Sequence, residues 1–331
     1  MLGSEDVVSR SEQADLSEIP VGEGQTLRPA EESDAEAIAA VANAMSERLY
    51  GEAAVSPDEI RRWFAYTGLE TRVVEMNGHV VGYMDVERRA GGRIQMDVCV
   101  HPDAWGSAAA STLIGAAEAW ARADSREGDF MRAFAFERED YLRQALEDRG
   151  YGFIRHHLFM LIELSSEPPD PRWPEGILVR PFRPGDERAV YEADMEAFSD
   201  HWDFQVEPFA LWHERTVQRD DFDPSLWLIA WDGEDVAGFS LSSWHSSGDP
   251  TYGWVHVLGV RQRWRRRGLG SALLLASFSE FGRRGATRVG LAVDAESLTG
   301  AVALYERVGM SAVRRYDIYE KRWSSGLASK P

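Results

Sequence analysis

"VHVLGVRQRWRRRGLGSALL", Val255 to Leu274, decides how the chain is read. It starts as an apolar strand, passes through five arginines in the seven residues from Arg261 to Arg267, and enters an apolar helix through Gly268 and Gly270. A strand that ends in a glycine-bearing turn and opens directly into a helix leaves several backbone N–H groups unpaired. They point outward together at the positive end of the helix dipole. Such a turn holds phosphate oxygens. Glycine lets the backbone approach a bulky diphosphate, and arginine adds charge-assisted contacts. The positive charge is local, because the whole chain carries a formal net charge of −19.

Other phosphate motifs fit worse. The dinucleotide fingerprint G-x-G-x-x-G would need glycine where Leu273 stands, and the P-loop signature is absent. A solvated arginine turn is the other reading of the loop alone. Nucleic-acid binding through the arginine run is disfavoured by the acidic total, which suits a cationic acceptor such as an amine. At 331 residues, 44% hydrophobic and with 12 tryptophans, the chain has material for two packed domains. Residues 1–24 are rich in Ser, Glu, Asp and Gly without an apolar period, so a flexible tail is expected there and a shorter one over 324–331. Cys99 is the single cysteine, which excludes an intrachain disulfide framework and fits a cytoplasmic setting. No leader peptide, membrane span or metal-ligand spacing is expected; His213-Glu214 lacks the second histidine of H-E-x-x-H. Oligomeric state leaves no signal in the sequence.

The chain also repeats itself at a long offset. "TLRPAEESDAEAIAAVANA" from Thr26 matches "LVRPFRPGDERAVYEADMEA" from Leu178, with Arg28-Pro29 against Arg180-Pro181 and Asp34 against Asp186. "MDVCVHPDAWGSAAASTLI", Met96 to Ile114, lines up with the opening stretch. Each half closes on a helix that ends at a glycine and then an apolar strand, "LEDRGYGFIRHHLFMLIEL" and "YERVGMSAVRRYDIYEK". Three matches in one order predict a duplicated domain. "SSEPPDPRWPEG", Ser165 to Gly176, holds four prolines and no period, as a linker does. The expected division is a domain over 25–165, a linker over 166–176 and a domain over 177–323. In the second half, Asp232-Gly233 sits between two apolar runs as a hairpin turn. Val289, Leu291 and Val293 alternate as a strand, and Ala301, Leu304, Tyr305 and Val308 form a helix stripe that stops at Gly309.

Val260 to Gly270 resembles the acetyl-coenzyme A signature of the GNAT acyltransferases, in which Arg or Gln, two free positions, Gly, one free position and Gly or Ala follow a strand ending in Val. Arg265, Gly268 and Gly270 stand at its fixed positions. "VGLAVDAESLTGAVALYERVGM" resembles the family's closing strand, helix and tyrosine-bearing segment, so the likeness covers most of the second half from Tyr252 on. It implies an α/β (α+β) fold of two tandem GNAT-like domains, each a mixed, mostly antiparallel sheet flanked by helices. It also implies acetyl-CoA as co-substrate and acetyl transfer to a primary amine of a small molecule. The backbone of Leu258, Gly259 and Val260 would lie beside the pantetheine and thioester. Arg265 and the amides of Arg266, Arg267, Gly268, Leu269, Gly270 and Ser271 would bind the pyrophosphate. Ser297 stands where the family often has Asn on the pantetheine arm. Tyr305 matches the tyrosine that protonates the leaving thiolate; without the resemblance, a core aromatic on the helix stripe is the better reading.

Acetylating an amine also needs a base. Many family members place Glu on the central strand where Trp254 stands here. His256, two residues on, shares its strand face if alternation holds, and "HVLGV" resembles the arylalkylamine N-acetyltransferases, where a histidine helps relay the proton. Histidine titrates in the right range, though a structural histidine on a buried strand fits the pattern as well. For the acceptor, Glu196, His201 and Asp203 in "EADMEAFSDHWDF" could bind a cation or act as base, with Trp254 beside them; a solvated loop with Trp202 and Phe204 in the core is the alternative. In the first half Trp105 replaces the arginine, and Ala108 and Ala110 replace both glycines. That half is expected not to bind acetyl-CoA productively.

Overall fold

Strands and helices alternate in the same order twice. A computed structural model describes residues 19–66, 68–219, 221–297 and 300–323. Most of the expected N-terminal tail and all of the C-terminal one lie outside the described residues. The first run is β1 (Gln25–Pro29), α1 (Ala35–Tyr50), α2 (Pro57–Phe64), β2 (Glu70–Met76), β3 (His79–Arg88), β4 (Arg93–Val100), α3 (Ala109–Ala123), β5 (Phe130–Phe136), α4 (Asp140–Asp148) and β6 (Gly152–Glu163). The second is β7 (Ile177–Pro181), α5 (Glu187–Ala197), α6 (Phe209–Thr216), β8 (Leu228–Asp232), β9 (Asp235–Trp244), β10 (Tyr252–Val260), α7 (Leu269–Arg283), β11 (Arg288–Asp294), α8 (Ala301–Arg307) and β12 (Ser311–Arg322). Each run builds the expected mixed sheet, mostly antiparallel, flanked by helices.

By contacts the chain forms two units, one of residues up to Ile154 and from Ile318 on, the other Arg155–Asp317. In the first, β1 to β4 pair antiparallel in sequence order and β5 lies parallel to β4. In the second, β7 to β10 pair antiparallel, β11 runs parallel to β10, and β6 lies antiparallel to β11 from Glu163↔Arg288 to His157↔Asp294. The units therefore do not follow the division expected at the proline-rich linker. The reason is packing: Leu158, Met160, Ile162 and Leu164, in and just after β6, belong to the hydrophobic cluster of Leu274, Phe278, Val289 and Leu291.

The matched Arg-Pro and Asp residues do one job twice. Arg28 donates from both terminal nitrogens to Asp34 at 2.7 and 2.8 Å, and Arg180 does so to Asp186 at 2.6 and 2.9 Å. The same carboxylates accept the amides of Glu31 and Arg183, each at 2.8 Å. Each knot ties the first strand of a half to the start of its first long helix, with the acid at the positive helix end.

Burial alone would raise the Asp186 pKa; the hydrogen bonds from Arg180 and from the Arg183 amide outweigh it, so the carboxyl titrates below its ordinary value. A depressed folded pKa stabilises the fold above the unfolded value, near 3.8, and that stabilisation is lost as pH falls through the folded one. Asp186→Asn should therefore lower stability by about 2 kcal/mol at pH 7, read by urea unfolding, and the deficit should shrink as pH falls below about 4. A deficit that is the same at pH 7 and pH 3 would show that the ion pair is not its source.

Candidate active site

The parallel ladder of β10 and β11 is short. It pairs Tyr252↔Arg288, Gly253↔Val289 and Trp254↔Gly290, and then the strands part. Beyond Trp254, β10 has no strand neighbour on that side among the described residues, so its backbone there could meet a ligand. On its other side β10 stays on β9, with a bulge: Val255 opposes Ser242, Val257 opposes Leu241, and His256 is the extra residue. The bulge breaks the expected alternation, yet His256 still points to the face of Trp254, since its Nε2 lies 2.7 Å from Ser243 Oγ and Ser243 is the cross-strand partner of Trp254. Gly259 is required by the sheet itself, because a Cβ there would meet the Phe239 ring at 2.2 Å.

The turn after β10 presents backbone amides outward. Arg266 takes φ +60°, unusual for a side-chain-bearing residue, and Gly268 takes φ +83° at the helix N-cap. Among the described residues, the amides from Arg266 to Ser271 have no hydrogen-bond acceptor, whereas Ala272 N already bonds Gly268 O at 3.1 Å. Such a row at a helix start fits a diphosphate. The two glycines have different reasons. Gly268 serves the left-handed backbone, with open space around it. Gly270 is buried, and a Cβ on it would reach Leu304 at 3.1 Å and Val260 at 3.7 Å. It closes the contact of α7 with α8 and the end of β10, rather than giving a ligand room.

The arginines divide in the same way. Arg265 bonds Val260 O at 3.0 Å, Ala197 O at 2.7 Å and Asp200 at 2.5 Å, so it fastens the turn to the end of α5. Arg261 is held by Glu196 at 2.6 Å and by Val236 O at 3.1 Å. Glu196 is thereby tied to the loop by its ion pair with Arg261. Arg266 and Arg267 are exposed beside the amide row.

Tyr305, on α8, is 7% exposed and packs in the cluster that Leu258 joins. Its hydroxyl has no hydrogen-bond partner among the described residues, and burial pushes its pKa up to about 12. His201 Nε2 lies 3.9 Å from Asp294, at the end of β11. Asp294 also takes Arg155 at 2.6 Å, and the Arg155 guanidinium lies 4.6 Å over the Trp202 ring. Trp202 is 38% exposed and so not the core residue its neighbours suggest. Asp203 is half-buried on the same loop, and Ser297 follows β11, its amide on Asp294 O at 3.2 Å. Trp254 is half-buried, and its ring lies against β11: a Cβ on Gly290 would meet it at 2.6 Å. Arg155, His157 and Phe159 on β6 went unread in the sequence, because they belong to the other repeat.

The first unit repeats the gap and not the cradle. β4 and β5 pair from Arg93↔Phe130 to Met96↔Ala133 and part, but the β3–β4 ladder runs without a register shift. Trp105 Nε1 bonds Val100 O at 2.9 Å, the place of Arg265, and its ring stacks on Tyr141 at 4.9 Å. Ala108 adopts φ −73° where Gly268 is left-handed. Two amides of the turn are already used, Ser107 N on Ala104 O at 3.1 Å and Ala109 N on Ser107 Oγ at 3.2 Å. The chain itself crosses the turn: Thr112 bonds Pro20 O at 3.3 Å, Gln25 reaches Ser107 at 3.3 Å, and a Cβ on Gly22 would lie 2.8 Å from Ala108 Cβ. Leu146, as far before Gly150 as Tyr305 is before Gly309, supplies no hydroxyl. Among the described residues no group of His, Cys, Asp and Glu could hold a metal ion, and no helix is long and apolar enough to cross a membrane.

Residues 38–150 and 188–310 match the acetyltransferase (GNAT) family. A mycothiol acetyltransferase of Salinispora arenicola (strain CNS-205) is 33% identical over 261 residues, spanning 74% of this chain and 79% of that protein. A GCN5-related N-acetyltransferase from Sphaerobacter thermophilus superposes with a TM-score of 0.78 at 33% identity, over 91% of this chain and 96% of that one. A tandem GNAT protein from the clavulanic acid biosynthesis pathway matches in fold, with a TM-score of 0.67 at 15% identity over 90% and 98% of the two chains. Two repeats, each with a parallel strand pair that parts, agree with these likenesses: the chain belongs to the acetyltransferase (GNAT) family, as a tandem-domain N-acetyltransferase.

Proposed function

We propose that the second unit carries the one working site and moves an acetyl group from acetyl-CoA to the primary amine of a small molecule. The observation that carries this is the row of unpaired amides from Arg266 to Ser271, set beside a parted strand and missing in that form from the first unit. Acetyl-CoA brings the activated acyl carbon. The amide row and the exposed Arg266 and Arg267 would hold its diphosphate. The open backbone of Leu258 to Val260 would lie along its pantetheine arm and offer hydrogen bonds near the thioester. Ser297 lies next in the chain after β11, within the family's pantetheine segment.

Two residues then handle protons. His256, whose Nε2 lies 2.7 Å from Ser243 Oγ, would take the proton from the amine. Tyr305 stays protonated because it is buried, and its O–H would protonate the departing sulfur. A second reading, mycothiol acetylation at the amine of a cysteinyl pseudodisaccharide, is favoured by the 33% identity to a mycothiol acetyltransferase. Trp254 weighs against it, because the acidic residue usual on the central strand is missing. Thiol release measured with that acceptor beside a panel of simple amines separates the two readings. Acetyl-CoA binding without release from any amine would instead indicate a coenzyme A sensor.

By calorimetry we expect one acetyl-CoA per chain. Gly268→Asp forces a left-handed side chain and puts an anion in the cradle, so binding should fall at least about 100-fold. Ser111→Asp, on the corresponding turn of the first unit, should leave affinity unchanged. Two sites per chain, or equal loss in both variants, would overturn the one-site reading.

Tyr305→Phe should slow turnover by about 100-fold while the acetyl-CoA Kd stays within about twofold. Because the hydroxyl titrates only near pH 12, the wild-type rate should show no alkaline decline from this group below about pH 10. An unchanged rate in the variant would remove the acid role.

A further inference from the structure

The sheet face that carries His256 also carries a row of rings that neither the cradle nor the proton steps use. His245 lies 5.0 Å from Trp254, Trp254 5.5 Å from Phe159, Phe159 5.4 Å from Tyr316, and Tyr316 5.0 Å from His157, centroid to centroid. The row crosses the strands, since Trp254 is on β10, Phe159 and His157 on β6, and Tyr316 on β12. Ala292, the cross-strand partner of Phe159 on β11, is small and exposed, so the row is open from above at that point. The cluster under α5 and α6 includes Phe239, Leu241 and Val257, farther along the face, and none of these rings.

Phe159, Trp254 and Tyr316 are each half-buried. Trp202, on the neighbouring loop, is the large apolar side chain here that is exposed. A narrow, half-buried lining of rings suits a small molecule, whereas a protein partner would need a broad exposed patch. The charges nearby point the same way. Asp294, the carboxylate on this face of β11, is already engaged by Arg155 at 2.6 Å, with His201 at 3.9 Å. An incoming ammonium would therefore meet ring faces rather than a free carboxylate. Rings attract a cation, yet they hold its proton less firmly than an ion pair would. That suits a step in which the nitrogen must lose a proton to His256.

We propose that Phe159, Trp254 and Tyr316 determine acceptor specificity, binding the flat apolar body of the acceptor so that its amine lies toward His256. This rests on the acetyltransferase reading of the second unit. The preferred acceptor is then a primary amine on a planar, apolar ring, ahead of linear polyamines or amino sugars. Aromatic pairing adds about two- to tenfold in affinity per well-placed ring.

Calorimetry on the full chain saturated with coenzyme A tests this without needing turnover, using 2-phenylethylamine, butylamine, putrescine and glucosamine. We expect 2-phenylethylamine to bind at least about tenfold tighter than the others. Phe159→Ala should erase most of that preference while coenzyme A affinity is unchanged, and Phe159→Trp should keep it. Equal affinities across the amines, tighter binding of glucosamine, or a preference untouched by Phe159→Ala would each overturn the proposal. Ring-selective binding without thiol release from acetyl-CoA would support the site and count against the catalytic reading instead.

Discussion

Everything the second unit can do follows from the parting of β10 and β11 after Trp254↔Gly290. A strand inside a sheet normally spends its amides and carbonyls on both neighbours. Past Trp254, β10 spends them on β9 alone, so a length of backbone is exposed between two layers of packed side chains. The parting also sets apart the helices that follow each strand. α7 starts where β10 ends, α8 comes after β11, and Gly270 is where the two helices and the end of β10 touch. The turn after β10 carries the amide row, and Tyr305 on α8 packs in the cluster that Leu258 of β10 joins, though they come from different parts of the sequence.

The first unit shows that the gap by itself is not a site. Its β4 and β5 part in the same way. What differs is how the freed groups are spent. In the first unit a serine hydroxyl and a carbonyl take two of the turn amides, and the segment from Pro20 to Gln25 lies over the turn. The ladder there has no bulge, whereas in the second unit His256 is itself the bulged residue and lies against Ser243. Both copies share the architecture, and among the described residues local hydrogen bonding leaves the turn amides unpaired in the second copy and takes two of them in the first.

The legible parts of this protein were those governed by neighbours in sequence. The Arg-Pro and Asp matches predicted two copies, and in each the arginine and the carboxylate make the same contacts. The strand, glycine turn and helix were also readable, because backbone conformation limits what can stand at Gly268. Contacts between distant residues were not readable. Nothing near Arg265 in sequence says that it bonds Asp200 and Ala197 O, and nothing near Glu196 names Arg261. The placement of β6 was hidden for the same reason. Its alternating Leu158, Met160 and Ile162 predict a buried strand but not which core buries it. Because that strand lies on β11, Phe159 and His157 reach the face of His256, and a reading that stopped at the linker could not include them.

The arginine run shows how charge is allotted. Five arginines in seven residues look like a single patch, yet Arg261 and Arg265 are neutralised within the protein by Glu196 and Asp200. Arg263 rests near the Trp264 ring, 4.0 Å from Asp235. These three shape the turn and attach it to its surroundings. Arg263 is itself exposed, and Arg266 and Arg267 are exposed on the residues where the row of unpaired amides begins. Side-chain charge and backbone dipoles therefore converge on one small volume, although most of the local charge is spent on structure. In an otherwise acidic chain, that convergence is local to this one turn.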